Sequence, residues 1–144
     1  MTRILPAFAL LAFTGSALAH GGVTNPAVLE RMEAMSTIAA EVKALSGMAR
    51  GDVGFDAAEV ARRMQAIAAT GAMVPVLFEA PETDPKSEAV PTIWTSYPEF
   101  TRRAVAMVAA AEAGTGATDP AALQAALGTL AETCRSCHAS FKSP

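Results

Sequence analysis

The chain has 144 residues, a formal net charge of −3 at pH 7 and 51% hydrophobic residues, many of them alanine. This length fits one ordinary domain, and the small charge with no Lys/Arg cluster argues against a nucleic-acid-binding protein. Alanine is the strongest helix former, and valine and isoleucine never alternate with polar residues over the length of a strand, so the composition predicts a helical protein.

The N-terminal segment predicts a cleaved signal peptide. Arg3 gives a short basic start, the apolar run ILPAFALLAF is too short to span a bilayer, and Ala17 to Ala19 place small residues where a signal peptidase cuts. A cut after Ala19 leaves residues 20–144 as the mature domain. The alternative is an N-terminal membrane anchor, but no later stretch is long and apolar enough to span a membrane.

Two helices are predicted in the first half of the mature chain. Asn25-Pro26 begins the first with a helix cap followed by proline at the first helical position, and the Arg50–Gly54 stretch ends it. The second opens at Asp56–Glu59, which has the pattern of a capping box. We expect it to end near Gly71, because Pro75 bars a regular helix beyond that point.

A proline-rich connection and two further helices complete the chain. The stretch from Glu79 to about Ser96 contains three prolines with acidic residues between them, so we expect a crossover loop without helix. The third helix begins near Tyr97 and stops at Gly114–Gly116, and the fourth begins at Asp119-Pro120. Four helices with one long middle connection predict an all-α, antiparallel four-helix bundle.

The fourth helix carries the two cysteines of the chain and one of its two histidines. Cys134, Cys137 and His138 form C-x-x-C-H, the attachment pattern of a c-type haem. Positions three apart share one helix face, so both thiols can reach the haem while the imidazole of His138 reaches the iron from the same side. The alternatives are a disulfide, a redox dithiol or a structural zinc site, for which the chain has too few ligands. The pattern, the export signal and the thin alanine core favour one covalent haem c.

A C-x-x-C-H near the C-terminus of an exported four-helix bundle resembles the class II cytochromes c, the family of the cytochromes c′ and cytochrome c-556. The resemblance covers the whole mature chain. The tail CHASFK and the PTIW stretch at Pro91–Trp94 also look like this family. The resemblance implies one haem on the C-terminal helix, redox partner proteins in the periplasm and, for many members, a homodimer.

The resemblance also assigns roles on the first helix. The family carries an arginine there near a haem propionate, and Arg31 matches it. The residue four positions later faces the distal side of the iron: it is apolar in the cytochromes c′, which leaves the iron open to NO or CO, and a methionine ligand in the cytochrome c-556 branch. Here that residue is Met35, so the resemblance implies a sixth ligand. Met32 is its competitor, and ordinary core packing is the alternative for Met35.

The tail adds two candidates for haem contact, Phe141 and Lys142. In the family a basic residue four positions after the histidine lies beside the proximal face; a solvated tail lysine is the alternative.

We see no catalytic acid/base pair, nucleophile elbow or phosphate loop, so we expect no enzyme. The expected function is periplasmic electron transfer with His138 and Met35 as axial ligands. A gas-binding protein of the cytochrome c′ type and a helical module without haem are the alternatives.

Overall fold

The computed structural model describes residues 22–144, which form five helices and no strand. Their bounds are α1 Pro26–Arg50, α2 Ala57–Leu77, α3 Thr92–Thr95, α4 Tyr97–Gly114 and α5 Pro120–Phe141. α1 and α4 each pack against both α2 and α5, so the four long helices form a closed bundle. The bundle predicted from the sequence is confirmed. The predicted signal peptide, residues 1–19, lies outside the described residues.

Three of the four long helices begin directly after the capping residues that the sequence indicated. The side chain of Asn25 accepts a hydrogen bond from the backbone N–H of Ala27 at 2.9 Å, and Asp56 and Asp119 cap α2 and α5 in the same way. α1 ends at Gly51, whose φ of 77° is the left-handed conformation that glycine adopts without strain. These local signals therefore determine where three of the four long helices start.

The prediction that the second helix ends near Gly71 is wrong, because α2 continues to Leu77. Gly71 is a packing residue: a Cβ atom there would lie 2.7 Å from the Cε of Met107 on α4. Pro75 lies in the last turn of α2, where a missing N–H removes only one late helical bond. The carbonyl of Pro75 accepts a hydrogen bond from the Tyr97 hydroxyl at 2.6 Å, which ties this end of α2 to α4.

The crossover connection also differs from the prediction, because it contains the one-turn helix α3. Trp94 donates its indole N–H to the carbonyl of Phe78 at 2.9 Å, and Ile93 is buried. α3 is thus held against the end of α2 by tertiary contacts. The next helix begins at Tyr97 with Pro98 in its first turn, as the sequence predicted.

The bundle is filled differently at its two ends. At one end, tightly packed aliphatic residues such as Leu45, Val60 and Leu123 leave almost no exposed surface. At the other end, Phe78, Phe100 and other buried residues surround a cavity. This open end is formed by the first half of α1 and α4 and the last part of α2 and α5, as antiparallel helices require. Within residues 22–144, no helix has the length and apolar run needed to cross a membrane.

Candidate functional site

The open end of the bundle holds a cavity of about 450 Å³. Its wall comes from all four long helices and from residues 86–89 of the crossover connection, and most of the side chains in it are apolar. The volume lies within the range of ligand sites, about 300–1,000 Å³. A bulky apolar ligand can therefore occupy the space that the alanine-rich core leaves open.

The C-x-x-C-H residues of α5 form one side of this cavity. Cys134 and Cys137 are half-buried free thiols that both line it, together with His138. Burial raises the pKa of both thiols, whereas a reactive redox dithiol has a lowered pKa. Within residues 22–144 no cluster of three or more His, Cys, Asp or Glu residues could hold a metal ion. Among the described residues the two thiols are thus free, and both line the cavity.

His138 lines the cavity on the same helix as the two thiols. Partial burial and the nearby Lys142 charge lower the pKa of His138, while Glu88 opposes this effect. A lowered pKa favours the neutral imidazole, which is the form that binds a metal. Its ring can serve as the ligand that the motif predicts.

Methionines from the opposite helix line the same cavity. Both Met32 and Met35 of α1 face it, and Met35 also packs against the aromatic cluster around Phe100. The structure thus brings both candidate sixth ligands to the cavity that His138 lines. A third methionine, Met107 of α4, lines the cavity too. No pattern in the sequence connected Met107 with the site.

Arg31 is buried beside the cavity, with 3% of its surface exposed. Its Nε donates to the carbonyl of Leu77 at 2.8 Å, Nη1 to that of Glu82 at 2.7 Å and Nη2 to that of Ala80 at 2.6 Å. The guanidinium also lies over the ring of Phe78, 4.7 Å from its centroid. Burial lowers the pKa of Arg31, and the nearby Glu82 charge opposes this shift. Contact with a haem propionate stays a prediction, but this anchoring of the crossover connection is a role that the sequence did not indicate.

The two tail candidates join the end of α5 to two different elements, Phe141 to α4 and Lys142 to the crossover connection. Phe141 is buried in the cavity wall and packs edge-on against Phe100, with ring centroids 5.3 Å apart. The Nζ of Lys142 lies 3.1 Å from the Oε2 of Glu88, and the backbone of Lys142 pairs with that of Ala89. The backbone of Lys142 is therefore held against the crossover connection, while its side chain remains partly exposed, and a contact of this side chain with haem stays a prediction.

Arg103 of α4 is a residue of the site that the sequence did not reveal. It lines the cavity and donates from Nη1 to both the carbonyl and the hydroxyl of Ser136, the residue that precedes Cys137. Its Nε also donates to Glu99 at 2.7 Å. No spacing along the chain indicates this contact, because it depends on the register between α4 and α5.

Comparison with known proteins identifies the family. A family model described as cytochrome c′ matches residues 26–142, which include the candidate haem residues of α1 and α5. The chain belongs to the cytochrome c′ family. Cytochrome c′ of Rhodopseudomonas palustris is 30% identical over 118 residues, which cover 81% of each chain. Cytochrome c-556 of Agrobacterium fabrum is 28% identical over 128 residues, 87% of each chain.

A solved structure of Rhodopseudomonas palustris cytochrome c′ has a similar fold. It superposes with a TM-score of 0.76 at 29% sequence identity, over 84% of this chain and 98% of that one. The cofactor of the cytochrome c′ family is one covalent c-type haem, so the family and the haem c predicted from the sequence are both confirmed. Proteins of this family carry electrons or bind gas and are not classical enzymes.

The cavity fits this cofactor. Two free thiols three residues apart can form the covalent links, and the neutral imidazole that follows them can bind iron. The apolar walls from α1 and α4 can cover the flat faces of a large ring. Residues that could attach, ligate and bury a haem therefore line one cavity.

Proposed function

We propose that this chain is a periplasmic electron-transfer cytochrome with haem c attached at Cys134 and Cys137 and with His138 and Met35 as axial ligands. One observation carries the proposal: the attachment motif of α5 and Met35 of α1 line the same cavity from different helices. Met35 follows Arg31 by four positions, the spacing at which the cytochrome c-556 branch carries its methionine ligand. This spacing and a relative named cytochrome c-556 support Met35 as the ligand on the side of the iron opposite His138.

The chain is suited to electron transfer because its residues can hold both axial ligands in place. When bound, the haem supplies the Fe(III)/Fe(II) couple. His138 belongs to a helix whose end is tied to the crossover connection, and Met35 belongs to α1, which packs along both α2 and α5. Ligands on two packed helices change position little between oxidation states. His/Met ligation in an apolar site also raises the reduction potential.

Replacing Met35 tests the assignment. In the ferrous protein we expect sharp α and β bands that CO does not shift, because both axial positions are filled. Met35→Leu keeps the side-chain volume but removes the sulfur, so we expect a high-spin spectrum and CO binding. Optical titration with CO measures both properties.

Met32→Leu is the matched control, since it makes the same change on the same wall of the cavity. We expect its spectrum to stay low-spin and insensitive to CO. An unchanged spectrum for Met35→Leu, or a high-spin spectrum for Met32→Leu alone, would show that Met35 is not the ligand.

A second function, binding of NO or CO, is favoured by the packing of Met35 against the aromatic cluster around Phe100. If this packing holds the thioether away from the iron, the distal side stays open. A relative named cytochrome c′ supports this alternative. A broad high-spin spectrum of the unsubstituted protein, with rapid CO binding, would favour gas binding over electron transfer.

The proposed location is the periplasm, because the first nineteen residues have the pattern of a cleaved signal peptide. The proposed partners are periplasmic redox proteins. A net charge of only −3 fits brief encounters better than a permanent complex. A homodimer, which the family resemblance allows, stays a prediction.

A further inference from the structure

The side chain of Arg103 connects α4 to the turn of α5 that carries the two cysteines. Nη1 donates to the Ser136 carbonyl and, at 2.8 Å, to the Ser136 hydroxyl. Nε donates to Glu99 at 2.7 Å, which orients the guanidinium from its own helix. The guanidinium also lies over the ring of Phe141, 5.7 Å from its centroid. Contacts on several sides therefore leave this group little freedom.

The contact with Ser136 falls within the haem-attachment motif itself. Ser136 lies between Cys134 and Cys137 in the chain, so a group that fixes its carbonyl and hydroxyl also fixes the turn that presents both thiols. The Ser136 carbonyl can accept a bond from Arg103 in addition to its helical bond, because a carbonyl oxygen has two lone pairs. A rotation of α5 relative to α4 would break both contacts.

The charge of Arg103 acts at the same place. Its side chain is 28% exposed and lines the cavity, so solvent screens it less than a surface charge. Glu99 offsets part of this charge, but a neutral residue in place of Arg103 would still remove one positive charge from beside the cavity. A positive charge there favours the ferrous over the ferric state, which carries one more positive charge.

We propose that Arg103 is a positioning residue that holds the cysteine-bearing turn of α5 against α4 and raises the reduction potential of the haem attached there. This inference rests on the proposed function only in placing the haem at Cys134 and Cys137. It does not depend on which residue, if any, binds the distal side of the iron.

The test compares Arg103→Gln and Arg103→Lys with Arg102→Gln in the haem-loaded full-length protein. Arg102 is the matched control because it is the adjacent arginine and pairs with the same Glu99, but its side chain is 75% exposed and no hydrogen bond or ion pair to α5 is seen for it. The measurements are the midpoint potential and the hydrogen exchange of backbone amides around Ser136. Peptide mass mapping verifies the haem links in each variant.

We expect Arg103→Gln to shift the equilibrium at least about fivefold toward the ferric state, about 40 mV for one electron, and to speed amide exchange around Ser136. Arg103→Lys should change this equilibrium by less than about twofold, about 20 mV, because it keeps the charge. The amides around Ser136 should still exchange faster in this variant, because ammonium lacks the planar fork of guanidinium. Arg102→Gln should change neither quantity.

The inference is overturned if Arg103→Gln and Arg102→Gln give the same potential, or if amide exchange around Ser136 is unchanged in both Arg103 variants. The lysine variant keeps the inference testable should the glutamine variant fold poorly. A high-spin spectrum in these samples would reject His/Met ligation but leave the comparison between the arginine variants intact. The two proposals therefore fail separately.

Discussion

At the scale of single residues, the buried guanidinium of Arg31 has the most extensive polar contacts near the site. Three of its nitrogen atoms donate to the carbonyls of Leu77, Ala80 and Glu82, and its plane covers the ring of Phe78. Each of these carbonyls belongs to the chain segment that leaves α2. Arg31 therefore fixes the direction of the crossover connection and with it one wall of the cavity.

We expect Arg31→Lys to lower the free energy of unfolding by about 2–4 kcal/mol, because one ammonium cannot reach three carbonyls that surround a planar fork. Denaturant unfolding of the haem-loaded protein measures this change. Arg62→Lys is the control: Arg62 is 64% exposed and, in the described part of the chain, pairs with Glu59 alone, so its replacement should cost less than about 0.5 kcal/mol. Equal losses in the two variants would contradict an anchoring role for Arg31.

The site residues that could be predicted are those whose relation lies within one helix. Cys134, Cys137 and His138 are neighbours in the sequence, so helix geometry alone brings them to one face. The contact between Arg103 and Ser136 requires α4 and α5 to pack in one register, which no local pattern specifies. Arg31 illustrates the same limit, since the family resemblance indicated the residue and only the folded chain shows its three carbonyl partners.

At the scale of elements, the crossover connection contacts both the start of α1 and the end of α5 beside the cavity. The carboxylate of Asp84 accepts hydrogen bonds from the backbone N–H groups of Thr24 at 3.0 Å and Asn25 at 3.3 Å, just before α1. Further along, Ala89 pairs with Lys142 just after α5. The connection thus links the start of α1, which carries Met32 and Met35, to the end of α5, which carries His138.

The Asp84 contacts predict a pH dependence of stability. Hydrogen bonds from the backbone N–H groups of Lys86 and Thr24 lower the pKa of Asp84 in the folded protein. A lowered folded pKa means that the stabilisation is present above the unfolded value, about 3.9, and is lost as pH falls through the folded value. We expect the unsubstituted protein to be more stable than Asp84→Asn at about pH 6, and this difference to shrink below about pH 4.

Chemical unfolding at several pH values measures the difference between the two proteins, which cancels the titration of other groups. Asp52→Asn is the control, because the contact seen for the Asp52 side chain among residues 22–144 is an exposed ion pair with Arg50. Asp52→Asn should change the free energy of unfolding little at every pH. A constant difference between the unsubstituted protein and Asp84→Asn from about pH 6 to about pH 2 would rule out this account of the connection.

The elements predicted correctly are those with a local physical cause. Asn25, Asp56 and Asp119 start their helices with side-chain caps, which depend only on neighbouring residues. The end of α2 was missed because Gly71 reflects contact with α4 and not a helix stop. The single turn of α3 was missed because a contact between Trp94 and the end of α2 holds it, and such contacts leave no periodic pattern.

At the scale of the whole molecule, side-chain packing is uneven along the bundle. The end around Leu45 and Val60 is packed with aliphatic side chains, whereas the other end contains the cavity of about 450 Å³. The number of helices and the long middle connection made the bundle predictable. The attachment motif near the end of α5 indicated which half holds the cofactor. The sequence did not reveal how tightly the other half is packed, because alanine-rich stripes run along the whole length of the helices.

This asymmetry predicts how the chain behaves when haem cannot attach. Replacing Cys134 and Cys137 with alanine removes both covalent links, so the apolar walls of the cavity lose the ring that fills them. We expect the first half of α1 and α4 and the last half of α5 to exchange amide hydrogens much faster. The segments around Leu45, Val60 and Leu123 should remain protected, because their contacts are with other side chains.

Hydrogen exchange read by mass spectrometry, peptide by peptide, distinguishes the two halves of the bundle. The haem-loaded parent protein is the reference, and the double variant reconstituted with free haem is the control for filling without covalent links. Partial recovery of protection at the cavity end would follow from filling alone, since buried apolar contacts and not the thioethers exclude water there. Equal loss of protection in both halves would mean that the packed end is not an independent source of stability and that the cofactor organises the entire bundle.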